Sequence, residues 1–203
     1  MGGANRFLAL GDSYTIGESV ARSERWPVQL VSLLRVNGFA VDEPEIVAAT
    51  GWTTDGLAGG ITAARLAGPY ALVSLLIGVN NQYRGRDLEE YREQFCSLLR
   101  RAIEFAAGEP RGVIVISIPD WGVTPFAEGR DRKQIAREID AFNDVNREEA
   151  ARAGAHYVDV TGISRAPANR ALVATDGLHP PGEMYRLWAE ATLPTALRIL
   201  TRP

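Results

Sequence analysis

Five short apolar runs, separated by segments of helical length, constrain the fold of this chain more than any other feature. The runs cover residues 7–10, 45–49, 71–77, 113–118 and 156–160. Each is rich in Val, Ile or Leu, and the third and fourth are nearly continuous rather than alternating, as in strands buried on both faces of a parallel sheet. The alternation of strands and helices implies right-handed crossovers. It predicts an α/β fold, a three-layer α/β/α sandwich around a parallel sheet.

The segments between the runs have the periodicity of helices. They include residues 26–36, 88–107 and 135–153, and a last helix is expected to begin around residues 181–183. Apolar residues recur along them at intervals of three and four, and the first three segments end at or just before a glycine. No repeat or linker interrupts the order. We therefore expect a single domain over residues 1–203.

Charge and hydropathy argue against several classes of protein. The net charge is -3, and the arginines are mixed with acidic residues, so no nucleic-acid surface is expected. No apolar run approaches the roughly 20 residues that cross a bilayer, so no membrane span is expected. Residues 1–6 lack the basic start and long apolar stretch of a secretory signal. These features favour a cytoplasmic protein.

Metal and disulfide chemistry are also disfavoured. Cys96 is the single cysteine and lies in a helical segment, where it is expected to be a small buried apolar residue. The two histidines, His156 and His179, are isolated and do not have the spacing of a zinc site. His156 begins a predicted strand and is expected to pack or face solvent there. We expect no metal and no cofactor.

A polar, glycine-bearing loop follows each predicted strand. Ligands of doubly wound α/β folds bind outside the carboxyl ends of the strands, so these loops should meet at one edge of the sheet. The loops are residues 11–17, 49–54, 78–82, 119–125 and a long one that ends at 176–180. Their convergence predicts an active site at this edge.

Ser13 and His179, on the first and last of these loops, are the candidates for nucleophilic catalysis. A serine hydroxyl is a poor nucleophile until a base removes its proton, and the base needs a third group to orient it, a role that Asp176 can take. Two alternatives stay open. Asp12 or Ser13 could cap a helix, and His179 could be a surface residue before a pair of prolines.

Acyl transfer from an ester also needs hydrogen-bond donors for the oxyanion of the tetrahedral intermediate. The backbone N–H groups of Ser13 and Gly51 and the side-chain amide of Asn80 are the candidates. Gly51 could instead only form a turn, and Asn80 could only cap a helix. The glycine-rich loop at residues 56–60 lacks the Lys-Ser/Thr of a phosphate-binding loop, which argues against a nucleotide site.

With these residues assembled, the chain resembles the SGNH hydrolases, also called the GDSL esterase/lipase family, over nearly its whole length. The blocks that carry the resemblance are Gly11-Asp12-Ser13, Gly51, Gly78-Val79-Asn80-Asn81 and Asp176 to His179. The resemblance implies a Ser13 nucleophile, a His179 base oriented by Asp176, and an oxyanion hole of Ser13, Gly51 and Asn80. It also implies a flavodoxin-like five-stranded sheet of order 2-1-3-4-5.

Two positions depart from the common family pattern. Tyr14 stands where many members have leucine, and Asn81 stands where many have aspartate. Neither position supplies a reacting atom in the family mechanism. The departures therefore bear on subfamily and substrate rather than on the chemistry.

The sequence thus predicts a cofactor-independent serine esterase that acts on a small ester, with a preference for short acyl chains. Alternatives are a carbohydrate O-acetyl esterase, a thioesterase or lysophospholipase, and an acyltransferase that uses the same acyl-enzyme; the oligomeric state is not readable. Loop residues expected to line an apolar acyl pocket are Trp52, Tyr83, Trp121, Pro125 and Phe126. The loop at residues 120–131 is the expected place for specificity or gating.

Overall fold

A computed structural model describes residues 6–201 and shows one five-stranded parallel sheet. The strands are β1 (Phe7–Gly11), β2 (Glu45–Ala48), β3 (Leu72–Leu76), β4 (Val113–Ile116) and β5 (His156–Val158). Their spatial order is β2-β1-β3-β4-β5, and every neighbouring pair is parallel. The predicted fold class and strand order are both confirmed. Residues 1–5, which bear on the expected lack of a signal, and the two C-terminal residues of the predicted domain lie outside the described part.

Helices cover both faces of the sheet. They are α1 (Ser13–Ile16), α2 (Trp26–Val36), α3 (Thr54–Ala64), α4 (Val79–Tyr83), α5 (Leu88–Phe105), α6 (Arg132–Ala153), α7 (Thr161–Arg165) and α8 (Gly182–Leu200). The helices α2 and α8 pack together on one face, and α3, α5 and α6 form the layer on the other. The central strands β1, β3 and β4 are therefore buried at every position, which explains their continuous apolar sequence.

The strands β4 and β5 each end two residues earlier than their apolar runs predict. Past β4, the backbone N–H of Ile118 donates to Oδ1 of Asn143 in α6 at 2.8 Å, and Nδ2 of Asn143 donates to the carbonyl oxygen of Ile118 at 3.0 Å. These bonds replace the continuation of the sheet ladder. Past β5, the amide of Val160 donates to the hydroxyl of Ser117 at 2.8 Å. At the ends of both strands, backbone groups therefore bond to side chains instead of to a neighbouring strand. The loops at this edge of the sheet begin there.

The glycine-rich segment at residues 56–60, predicted as a loop, is instead part of helix α3. The glycines serve packing here: the indole of Trp52 lies where a side chain at Gly60 would be, and it also lies against Gly56. Glycine normally weakens a helix by about 1 kcal/mol relative to alanine. The contact with Trp52 offsets that cost by burying the ring on the helix surface.

Candidate active site

The carboxyl edge of the sheet brings four of the predicted site residues together. Ser13, Gly51, Asn80 and His179 all line one cavity of about 170 Å³. They come from the ends of β1, β2 and β3 and from the loop that precedes α8. Asp176 does not line this cavity but lies behind His179, whose ring it contacts.

Ser13 is presented by a sharp turn from β1 into the short helix α1. Asp12 caps this helix, because its Oδ1 accepts the amide of Tyr14 at 3.0 Å, while no capping bond involves the hydroxyl of Ser13. Only glycine fits at position 11, since a Cβ there would lie 2.6 Å from the carbonyl oxygen of Leu76. The capping alternative therefore applies to Asp12, and the Ser13 hydroxyl stays at the cavity.

Asp176 and His179 form a tight turn that fixes the imidazole. Oδ1 of Asp176 accepts the amides of Leu178 and His179, both at 2.9 Å, and Oδ2 lies 2.6 Å from Nδ1 of His179. The network assigns the Nδ1 proton to this contact, which leaves Nε2 as the acceptor. Burial opposes ionisation of Asp176, but hydrogen bonds from Ser19, His179 and the two amides outweigh it and lower the pKa of Asp176.

Ser19 is a contact of this pair that sequence reasoning missed. Its hydroxyl donates to Oδ2 of Asp176 at 2.7 Å across 157 positions of the chain. Its backbone has a φ of +65°, in the left-handed region that non-glycine residues rarely adopt. No sequence signal marks the contact, because only the folded sheet edge places the loop after α1 beside the turn before α8.

Ser13 and His179 share the cavity without a direct bond. Among the side chains of residues 6–201, no hydrogen bond joins Oγ of Ser13 to the ring of His179. Such contacts are often long in the absence of substrate and tighten when it binds. The ring of Tyr14 meets the His179 ring edge-on, with centroids 5.7 Å apart, and so limits its position from the other side.

Three of the residues that line the cavity, Ser13, Gly51 and Asn80, carry N–H groups without an acceptor among the described residues. The amide groups of Ser13 and Gly51 have no acceptor among the described residues. The Asn80 side chain donates one N–H to the carbonyl oxygen of Trp52 at 2.9 Å, which orients the amide and leaves its second N–H free. Arg84 donates to the carbonyl oxygen of Gly51 at 2.8 Å and holds this loop, where Gly51 has a φ of +80°.

Asn81 ties the two donor-bearing loops together. It is fully buried, accepts the amide of Thr54 at 3.1 Å and donates to the Thr54 hydroxyl at 2.8 Å. Thr54 begins α3 immediately after the Gly51 loop, and Asn81 follows Asn80 on α4. Asn81, which stands where many family members have aspartate, thus joins these two loops through hydrogen bonds and does not line the cavity.

Aromatic side chains form one wall of the cavity, but only three of the five residues predicted to line it take part. Tyr83, Trp121 and Phe126 line it, together with Val79 and Leu178. The prediction was wrong for Trp52, which packs on α3, and for Pro125, which lies beside Gly177 instead. The guanidinium of Arg130 lies 5.2 to 5.5 Å from the ring centroids of Tyr83, Trp121 and Phe126.

The loop at residues 120–131 supplies Trp121 and Phe126 of this wall. It contains two 3-10 turns, Trp121–Val123 and Pro125–Ala127, and the amide of Phe126 donates to the carbonyl oxygen of Gly177 at 3.0 Å. This bond connects the aromatic wall to the Asp176 turn. A gating role for the loop stays a prediction.

Asp12 is a second carboxylate at the site, with surroundings unlike those of Asp176. It is 0% exposed, and its Oδ2 has no hydrogen-bond partner among the described residues. Burial raises the pKa of Asp12 to about 7, even though the amide of Tyr14 bonds to it.

Within residues 6–201, no group of three or more His, Cys, Asp or Glu side chains could hold a metal ion, and no helix is long and apolar enough to span a membrane.

Comparison with known proteins identifies the family of this chain. A model of the GDSL-like lipase/acylhydrolase family matches residues 9–187. The chain therefore belongs to that family, and it is a carboxylic ester hydrolase of the SGNH type. A sequence search against curated proteins found no match.

Solved structures share the fold. TesA is 21% identical, with a TM-score of 0.73 over 96% of this chain and 99% of its own. The psychrotrophic esterase EstA from Pseudoalteromonas sp. is 16% identical, with a TM-score of 0.74 over 98% and 100%. A variant of Axe2, an acetyl-xylooligosaccharide esterase from Geobacillus Stearmophilus, is 21% identical, with a TM-score of 0.69 over 100% and 96%. At these identities the likeness concerns the fold.

Proposed function

We propose that this protein hydrolyses carboxylic esters of short acyl chains through a Ser13 acyl-enzyme, with Asp176 and His179 completing a catalytic triad. The observation that carries the proposal is the shared cavity: Ser13 and His179 face it beside the unsatisfied amides of Ser13 and Gly51 and the Asn80 side chain. A nucleophile, a base held by a carboxylate and donors for an oxyanion are the parts that acyl transfer requires.

The mechanism follows from the roles of these groups. Nε2 of His179 takes the proton of Ser13 as Oγ attacks the ester carbonyl carbon, and the carbonyl oxygen becomes an oxyanion. The Ser13 and Gly51 amides and the free N–H of Asn80 donate to that oxygen. The intermediate collapses when His179 gives the proton to the departing alcohol. Water, activated by the same imidazole, then releases the acid and restores Ser13.

Asp176 stays ionised throughout this cycle. Its pKa lies below the usual range because four donors bond to it, so the carboxylate is charged at neutral pH. A charged Asp176 holds the Nδ1 proton and stabilises the imidazolium that forms in the first step. No metal or organic cofactor has a part in these steps.

The preference for a short, uncharged acyl group rests on the small volume of the cavity, about 170 Å³, and on its walls. Val79, Tyr83, Trp121, Phe126 and Leu178 surround the space beside Ser13 with apolar and aromatic surface. Such surface favours a small hydrocarbon group over a charged one.

A carbohydrate O-acetyl ester is the second candidate substrate, favoured by the rim of the cavity. Tyr83 and Phe126 are 44% and 40% exposed there, beside Arg130. Exposed aromatic faces next to hydrogen-bonding groups suit the apolar faces of sugar rings. Axe2, which shares the fold, is an acetyl-xylooligosaccharide esterase.

Hydrolysis of p-nitrophenyl acetate and butyrate by the wild type and by Ser13→Ala tests the proposal. We expect the variant to lose at least about 1000-fold in kcat, since the nucleophile is removed. Ser32→Ala, which removes an exposed hydroxyl on α2, is the matched control and should keep full activity. An alkyl fluorophosphonate should add to Ser13 of the wild type, as seen by peptide mass. Unchanged turnover by folded Ser13→Ala would exclude the mechanism.

The same preparation separates the candidate substrates. Release of acetate from acetylated xylo-oligosaccharides faster than from p-nitrophenyl acetate would favour the carbohydrate ester. Acyl thioesters and lysophospholipids are assayed as a third group of substrates. Transfer of the acyl group to an added alcohol would identify an acyltransferase. Cytoplasmic location stays a prediction.

A further inference from the structure

Three side chains at the active site form a wall between two cavities. Tyr14, Trp121 and Leu178 line the cavity of Ser13, and the same three line a second cavity on their far side. The second cavity is smaller, about 20 Å³ against about 170 Å³, which is room for about one water molecule.

The far cavity has a mostly apolar lining. Its far side is formed by Met184 and Trp188 of α8 and by Leu172 and Val173 of the preceding loop. Polar side chains, among them Asp120, Ser164 and Arg170, also line this cavity, but most of its surface is apolar, so it can hold hydrocarbon. Nothing in the proposed reaction uses this space.

Two members of the wall are fixed by their contacts. Tyr14 is buried, and its ring meets the rings of His179 and Trp188 edge-on at centroid distances of 5.7 and 5.9 Å. Trp121 is also buried, and its Nε1 donates to Oε1 of Gln82 at 2.8 Å. Neither side chain can leave the wall without breaking these contacts.

Leu178 is the member that can be trimmed with the least disturbance. It is partly buried, and the contact that links it to the Asp176 turn is made by its backbone amide, at 2.9 Å from Oδ1 of Asp176. A shorter side chain at this position would keep that hydrogen bond. It would remove one of the three side chains that separate the cavities.

We propose that Tyr14, Trp121 and Leu178 end the acyl pocket, and that Leu178 sets the longest acyl chain that the enzyme accepts. This inference rests on the proposed function, because it assumes that the acyl group lies beside Ser13. The acyl chain of a good substrate stops at the wall, and a longer chain has to displace one of the three side chains. When the wall is opened, further methylenes enter the far cavity and become buried.

A series of p-nitrophenyl esters from acetate to octanoate tests the wall. For the wild type, we expect kcat/KM to fall beyond butyrate. Leu178→Ala should raise the ratio of hexanoate to acetate kcat/KM by about 10-fold, because each buried methylene contributes about fourfold. Leu178→Met keeps the volume of the wall and should keep the profile of the wild type.

Val173→Ala is the control for the size of the far cavity. It enlarges that cavity without opening the wall, so the chain-length profile should not change. Should Leu178→Ala fail to fold, Tyr14→Leu opens the wall from its other side and should raise the same ratio. Rates of Ser13 labelling by fluorophosphonates with ethyl and octyl chains give a second measure that does not depend on turnover.

The outcomes distinguish failure of the wall proposal from failure of the proposed esterase mechanism. A wild type that hydrolyses octanoate as fast as butyrate, or folded Leu178→Ala and Tyr14→Leu variants with the wild-type ratio, would overturn the wall and leave the esterase intact. Absence of hydrolysis and of Ser13 labelling for every member of the series would overturn both. A raised hexanoate ratio in the open-wall variants alone would establish the wall.

Discussion

Asp12 precedes Ser13 and Asp176 contacts His179, and their surroundings move the pKa values of these two carboxyl groups in opposite directions. Asp12 is fully buried with one carboxyl oxygen unpaired, so its pKa rises to about 7. The Asp176 side chain is 33% exposed and accepts four hydrogen bonds, which lower its pKa despite partial burial. Burial raises the pKa of Asp12, whereas the donated hydrogen bonds keep Asp176 charged at neutral pH.

The two residues also make opposite contributions to stability as pH changes. The folded pKa of Asp176 is below its unfolded value of 3.8, so its contribution is present above about pH 4 and is lost as pH falls further. The folded pKa of Asp12, about 7, is above its unfolded value of 3.8, so its ionisation in the unfolded chain lowers stability as pH rises between these values.

Replacing Asp176, the carboxylate that is charged at neutral pH, should cause the largest loss of activity. In Asp176→Asn, an amide NH₂ in place of Oδ2 would face Nδ1 of His179 and favour the wrong imidazole tautomer, so we expect kcat to fall by about 10⁴-fold. Steady-state hydrolysis of p-nitrophenyl acetate measures the loss.

Asp87→Asn is a matched control for this substitution. Asp87 also accepts the amides two and three residues ahead, at 2.9 and 3.0 Å, but it caps α5 away from the cavity. It should keep wild-type kcat. A loss of less than about tenfold in Asp176→Asn would show that Asp176 does not orient the base.

Replacing Asp12 should change stability rather than chemistry. Asparagine at position 12 can still cap α1 but cannot ionise. The unfolding free energy of the wild type relative to Asp12→Asn should therefore fall on the order of 4 kcal/mol from pH 4 to pH 8, from the pKa values of 3.8 and about 7. Urea unfolding curves at several pH values measure this difference. Parallel stability profiles of the two proteins would contradict the raised pKa.

Much of the fold and the candidate site could be predicted from the sequence, because both depend on regular features. Apolar runs between helical segments determine a parallel sheet, and the carboxyl ends of its strands fall at one edge. That rule alone placed Ser13, Gly51, Asn80 and His179 near one another, and all four line one cavity. The strand order came from the family resemblance.

What could not be predicted depends on contacts between distant segments. The segment at residues 56–60 is helical, although its glycines suggest a loop, because Trp52 fills the space that they leave. For the same reason Trp52 is absent from the cavity lining, whereas Tyr83 and Phe126 belong to it. Local sequence does not show which neighbour a side chain will pack against.

The smallest expected loss of activity comes from removing a single hydrogen-bond donor to Asp176. Ser19→Ala removes one of its four hydrogen bonds, so kcat should fall about three- to tenfold with little change in KM, since Ser19 does not line the cavity. Water can replace this exposed hydroxyl, which keeps the loss small. The pKa of Asp176 should rise toward its unfolded value of 3.8, so this variant should lose less stability than the wild type as the pH falls below about 4.

Ser19→Gly separates the hydrogen bond from the backbone strain at the same position. Glycine adopts a φ of +65° without strain, so this variant should be more stable than Ser19→Ala, yet it lacks the hydroxyl and should lose the same activity. Steady-state kinetics and urea unfolding of both variants give the comparison. If Ser19→Gly recovered wild-type kcat, strain in the loop rather than the bond to Asp176 would account for the loss, and Ser19 would not be a positioning residue of the triad.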